Sequence, residues 1–303
     1  MYPATFDYRR ASSVDDALSQ LASETDRDVR PIAGGHGLLP AMKAGELAPD
    51  VLVDVGDCDE LGAIEPADDG EGVVVGALAT HADLLDSPVL ADRVPLLAET
   101  AGAVGDVQIR NRGTIGGNLV EADPGADLPA ALLALDATVR LRSPDDRRDV
   151  PAVDFFEGAG ETVVADDELV TGIVVPGAGD GAYAKKTHPA RGFAMVGVAA
   201  AVELADDAIA DVRVGAVGAT ERPIRLSAVE DALTGAGVDE ASGAPHDDGA
   251  LADAAALVDD DLSAEPRRGD VHASAAFRAR LLRTHVERAT GAAIERANGG
   301  ETE

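Results

Sequence analysis

The sequence has little cysteine, little lysine and no long apolar run, and each shortage excludes something. Cys58 is the only cysteine among 303 residues. A disulfide within the chain is therefore impossible, and so is a Cys-ligated iron–sulfur cluster or zinc finger. The six histidines are scattered, with no HExxH pair and no His/carboxylate cluster, so no metal site is expected. No apolar stretch approaches the roughly 18 residues needed to span a bilayer. The N-terminal "MYPATFDYRRASS" has no apolar signal region, which points to the cytoplasm. GxGxxG, GxSxG and a P-loop ending in Gly-Lys-Ser/Thr are all missing. A Rossmann fingerprint and covalent catalysis by serine or cysteine are thereby disfavoured, and no catalytic residue is assigned.

Only Lys43, Lys185 and Lys186 are lysines, and 25 basic residues face 56 acidic ones, a formal net charge of −31. Such a charge keeps a protein soluble while the folded state repels itself. Concentrated salt screens that repulsion to about 3 Å at 1 M, so a salt-loving cytoplasm is the expected setting. Nucleic-acid binding is disfavoured, because a basic footprint is absent.

The periodicity that is present gives a mixed pattern. Ser13 opens a helix with Ala17, Leu18, Leu21 and Ala22 on one face. With strands at 29–33 and 50–55 it makes a β–α–β unit. Two strands flank the acidic turn Ala67–Glu71. Thr80 caps the next helix, with Asp83 in the capping-box position, and 94–104 is helical. Strand material over "TVRLRS", "RRDVPAVDFF" and "DELVTGIVVP" runs to about 176. Beyond a Gly-rich boundary at 177–181, strands at about 194–204 and 211–217 flank the turn "ADDAIAD". A short helix "SAVEDALTG", an acidic helix near 248–262 and a long final helix to 297 follow, with a tail at 298–303.

Four segments carry candidate chemistry. "AGGHGLLP" (33–40) follows a strand directly; its amides can form an anion-binding nest, or the stretch is a tight turn. His36 within it offers a general base, a covalent flavin link or its backbone amide alone. "RNRGTIGGN" (110–118) offers the Thr114 hydroxyl, the Asn118 carboxamide and the bare amides of Gly113, Gly116 and Gly117; otherwise it is a crowded turn. Arg110 and Arg112 beside it meet either phosphate or acidic groups at a subunit interface. In "EADPGADLP" (121–129), Asp123 starts a turn, while Asp127 either caps the following helix or holds a ribose hydroxyl. "YAKK" (183–186) holds two of the three lysines, as a solvated strand end or as positive charge near a reducible ring. Two glycine loops about 80 residues apart suit a cofactor too long for one loop.

Taken together, "AGGHGLLPAMKAG", "RNRGTIGGNLVEADPGADLP" and their separation resemble the FAD-binding medium subunit of the molybdenum hydroxylases, the carbon monoxide dehydrogenase and xanthine dehydrogenase family. The resemblance runs from "PATFDYRRASSVDDAL" to "DVHASAAFRARLLRTHVERA", similar to that family's C-terminal "ASxxYR" helix. It implies an α+β chain: a two-lobed FAD-binding fold of the vanillyl-alcohol oxidase (PCMH) type over 1–176, with lobes of about 1–55 and 56–176, then an α+β C-terminal domain over 177–297. It implies non-covalent FAD, with Ala33, Gly34, Gly35, His36 and Gly37 on the pyrophosphate. Thr114, Ile115, Gly116, Gly117 and Asn118 approach the flavin and ribityl chain. Asp123 and Asp127 lie near the ribityl and adenosine part, and Lys185 near the ring. Gly37 stands where serine is common, and His188 where arginine is expected. The partners implied are a large subunit with the molybdenum cofactor and a small subunit with [2Fe–2S] clusters, with NAD or quinone as acceptor. A stand-alone NAD(P)H-dependent flavin reductase and a cofactor-free scaffold are the rival readings.

Overall fold

The computed structural model describes residues 2–23, 26–68, 70–177, 179–188, 192–238 and 249–299. Val51–Asp54 lies between Asp7–Arg10 and Val29–Ile32 in a parallel three-stranded sheet. Parallel strands need a crossover, and the helix Val14–Ala22 carries the chain between the two outer strands, burying Val14, Ala17, Leu18 and Leu21. Its start is set as the sequence suggests, by the Ser13 side chain accepting the Asp16 amide. The loop 33–37 leaves the carboxyl end of Val29–Ile32, where open α/β sheets place their ligands. It runs into the helix Leu38–Ala44, which stops at Gly45 with φ +81°.

The second lobe is an antiparallel five-stranded sheet, in the order Ile64–Pro66, Val73–Gly76, Leu169–Val175, Thr138–Arg142, Arg147–Pro151. Between its second and fourth strands the chain makes a run of short helices. Thr80 caps His81–Asp86 with the full capping box. Leu128–Ala134 is buried at every position, the expected fate of a helix apolar all round.

That buried helix packs on a four-stranded antiparallel sheet of Asp180–Thr187, Ala194–Ala205, Ala208–Val217 and Ile224–Arg225. Strand alternation sends Ala199 and Ala201 to the helix side and Val196, Val198, Ala200 and Val202 to the opposite core. The helix side needs small residues: a Cβ on Gly215 would sit 2.1 Å from the Ala130 carbonyl oxygen. The long helix Ala275–Ala297 covers the other face with Leu282, Val286, Ala289 and Ala293. The arginine of the "ASxxYR"-like run, Arg278, is buried and donates to the carbonyls of Met195 and Gly218 and to Asp270. It thereby ties the start of that helix to the ends of the two central strands.

Three elements differ from the sequence reading. The expected seven-residue turn is a two-residue hairpin at Asp206 and Asp207, both at positive φ, so the strands reach Ala205 and restart at Ala208. Aspartate tolerates the left-handed region, which the twist of a tight hairpin requires. The strand expected through "VPAVDFF" breaks into the short helix Ala152–Phe155. Phe155 and Phe156 are both buried, which adjacent strand positions on one core face cannot achieve. The acidic helix is split into Ala250–Ala256, Val258–Asp261 and a 3-10 turn at Leu262–Ala264; residue 248, Ala178 in the boundary stretch and tail residues 300–303 lie outside the described residues. Among the described residues no helix is long and apolar enough to cross a membrane.

Candidate functional site

Both glycine loops open on one cleft of about 1660 Å³, larger than the roughly 300–1,000 Å³ of sites for drug-sized ligands. They touch each other across it. A Cβ on Gly34 would lie 2.2 Å from the Arg112 carbonyl oxygen, so the close approach requires glycine.

The first loop holds Gly35 at φ +74°. Among the described residues, the amides of Gly34, Gly35, His36, Gly37 and Leu38 donate to nothing, while Gly35 and Gly37 give only their carbonyls, to Leu39 and Ala41. Successive unpartnered N–H groups lining a cleft form an anion nest. His36 contributes to its shape, with its Nδ1 3.2 Å from the Gly34 carbonyl oxygen.

The second loop is a helix start rather than a turn. Thr114 is the N-cap of Ile115–Glu121, its hydroxyl oxygen accepting the Gly117 amide at 3.2 Å. The Ile115 and Gly116 amides donate to the Ala79 and Ala77 carbonyls, and the Asn118 amide to Thr114. The bare amides expected here are therefore already used. What the loop presents to the cleft is the Thr114 hydroxyl, a flat glycine surface and Asn118, whose Oδ1 is buried without a partner among the described residues. Ile115 lies in the core and does not line the cleft.

Asp127 reaches the cleft but caps nothing. Its carboxylate accepts from the Tyr183 hydroxyl at 2.5 Å and from Lys185 Nζ at 3.0 and 3.1 Å. Burial raises this carboxyl above its ordinary range against the pull of Lys185 and Tyr183. The Lys185 ammonium also donates to the carbonyls of Ala103 and Gly192 at 2.6 and 3.0 Å. It thus sits behind Asp127 with its donors engaged, and it does not line the cleft. Asp123 also lies off the cleft; it accepts the Gly125 amide at 2.7 Å and faces a small cavity with His188, Arg268 and Asp270.

Arg110 donates to the carbonyls of Val104 and Gly105, and the Arg112 side chain is exposed. Neither lines the cleft. The arginines that do, Arg27 and Arg30, are paired with Asp7 and Asp28. An anion here is therefore met chiefly by backbone N–H groups. Among the lining residues not singled out from sequence are His81, Glu121 and Phe193. Glu121 lies against Gly37, where a Cβ would be 2.4 Å from its carboxyl carbon. Burial first, and then Asp123, raise its carboxyl. Their only signal in the sequence was closeness to a motif or a cap.

The unpartnered nest, the orphaned Asn118 oxygen and a two-ended cleft fit a phosphate-bearing dinucleotide. Residues 4–178 match the FAD binding domain in molybdopterin dehydrogenase. The chain belongs to that family. Residues 181–293 match the CO dehydrogenase flavoprotein C-terminal domain. The glyceraldehyde dehydrogenase medium chain of Sulfolobus acidocaldarius is 38% identical over 78% of this chain and 83% of its own length. The carbon monoxide dehydrogenase medium chain of Afipia carboxidovorans is 35% identical over 95% and 98%. The solved Cu,Mo-CO dehydrogenase has a chain of TM-score 0.89 and 32% identity, with 98% of this chain and 100% of that one covered. Quinoline 2-oxidoreductase from Pseudomonas putida gives TM-score 0.87 at 29% identity, with 98% and 100% covered. The protein is thus an FAD-binding flavoprotein subunit of a multi-subunit molybdenum-hydroxylase-type oxidoreductase, with the PCMH-type fold and the C-terminal domain expected from sequence.

Proposed function

We propose that this subunit passes electrons from a small [2Fe–2S] subunit through FAD to NAD or quinone, in a heterotrimer whose large subunit carries the molybdenum cofactor. The observation that carries this reading is the meeting of the free-amide loop and the Thr114–Asn118 helix start along one cleft. Gly34–Gly37 would cradle the pyrophosphate through their N–H groups, and Thr114, Gly116, Gly117 and Asn118 would lie along the ribityl and flavin end. Bound FAD supplies the one- and two-electron chemistry, while the chain binds, orients and shields it. Asp127, held by Tyr183 and Lys185, fixes the cleft wall and would lie near the ribityl and adenosine part. The single cysteine supports dependence on partners for the iron–sulfur relay: Cys58 is buried, and burial pushes its thiol up to about 11, so it stays protonated. We take 1–176 as the FAD-binding part and 177–297 as the C-terminal part.

An untagged pull-down from native cells in high salt tests the assembly. The expected eluate shows flavin absorption and two further subunits that carry molybdenum and iron. A yellow chain eluting alone would favour a stand-alone reductase, and a colourless one a scaffold. The net charge of −31 supports a salt-rich cytoplasm as the working environment. Circular dichroism is expected to show the fold loosening between molar and millimolar KCl; an unchanged spectrum would defeat that reading.

A further inference from the structure

The flavin cleft contains one deeply buried titratable side chain that no motif accounts for. His81 is the first residue of the helix His81–Asp86 and only 2% exposed, yet it lines the cleft. Three contacts with the Gly113–Thr114 segment hold it in place. Its amide donates to the Gly113 carbonyl at 3.0 Å, and Thr80 bridges to Thr114. Its ring lies against Gly113, where a Cβ would be 2.8 Å from Cδ2 and Nε2.

An imidazole so placed must find a donor and an acceptor. Its Nδ1 is buried with no hydrogen-bond partner among the described residues. An orphaned polar atom on a side chain that lines a binding cleft calls for an explanation. The ionisable neighbours that act on it are His36 in the first glycine loop and Arg110 in the short helix Val107–Arg110. Burial first, then those two groups, lower it to about 4, so the ring is neutral at pH 7. A neutral ring keeps both a donor and an acceptor for a ligand and adds no charge beside it.

We infer that the His81 imidazole is a positioning residue for the dinucleotide, completing its hydrogen bonding on bound FAD at the junction of the two glycine loops. This rests on the flavin reading of the cleft. His81→Phe keeps a flat ring of similar size and removes both nitrogens, whereas His81→Gln restores a donor and an acceptor.

The test titrates FAD into the wild-type chain and both variants in high salt, reading flavin fluorescence, the visible spectrum and the flavin midpoint potential. The His81→Phe variant is expected to bind FAD about tenfold more weakly, the equivalent of one hydrogen bond, and to shift the flavin spectrum. The His81→Gln variant is expected to recover most of both. Equal affinity, spectrum and potential in all three proteins would overturn the inference while leaving the flavin reading intact. If the wild-type chain takes up no FAD, the flavin reading falls and the inference with it. Should His81→Phe fail to fold by circular dichroism, the ¹⁵N-histidine spectrum of the wild-type chain decides. Its His81 ring signals are expected to move on adding FAD, and unmoved signals would overturn the inference.

Discussion

The two glycine loops look alike as sequence and differ in what they do with their amides. In Gly34–Leu38 the N–H groups are left without partners among the described residues, at the end of a parallel strand. In Ile115–Asn118 every N–H is taken, by Ala79, by Ala77, by the Thr114 side chain and by the Thr114 carbonyl. The first loop therefore works by what it leaves open, and its chemistry is that of an anion nest. The second works as a rigid, close-packed surface against Ala77, where a Cβ on Gly116 would be 2.8 Å away. Glycine thus serves exposure in one place and proximity in the other.

The largest effect should come from beneath the second loop. Lys185→Met strands Asp127 as a buried, uncompensated carboxylate, and breaking such a pair costs about 3–5 kcal/mol. Urea unfolding should show this loss, while Lys186→Met, at an exposed position of the same strand, should stay within about 0.5 kcal/mol. Equal effects would mean the Asp127 pair does not support the cleft wall.

A pH scan adds the next largest. His81 has a folded pKa of about 4 against an ordinary value of 6.5, so the unfolded chain takes up its proton first as pH falls. Stability is complete above about 6.5 and is lost progressively down to about 4, by an amount of order 3 kcal/mol at 1.36 kcal/mol per unit. His81→Gln should flatten that slope, and an unchanged slope would assign the loss to other groups.

Within the loops themselves, Gly35→Ala forces an L residue to φ +74° at a cost of roughly 1–2 kcal/mol. FAD affinity measured by fluorescence should fall about tenfold if about 1.4 kcal/mol of that strain is relieved only by distorting the nest. Thr114→Ala removes a cap worth about 1 kcal/mol and should lower the melting temperature with a smaller change in affinity; Thr114→Ser should restore it. If Thr114→Ala proves worse for FAD than Gly35→Ala, the division of labour between the loops is reversed.

Much of this was legible in advance where the determining contacts are local. The caps at Ser13 and Thr80 act over three residues, and a capping box is a sequence pattern. Asp127 carried the same local signal as those caps, yet its carboxylate goes to Tyr183 and Lys185, 56 and 58 residues away. A buried carboxylate binds the strongest donors that the fold brings to it, and no local pattern announces them. The same holds for Gly116, whose amide looked available until Ala77 was brought against it.

The order of residues by itself determined the strands and helices, the two glycine loops, the acidic surface and the family. Each of these rests on backbone preference, short-range capping or bulk charge, which act along the chain. Only the tertiary structure decided which amides stay free, that Lys185 is engaged behind Asp127, and that His81 lines the cleft. Those outcomes depend on burial and on partners distant in sequence, and burial is a property of the assembled fold.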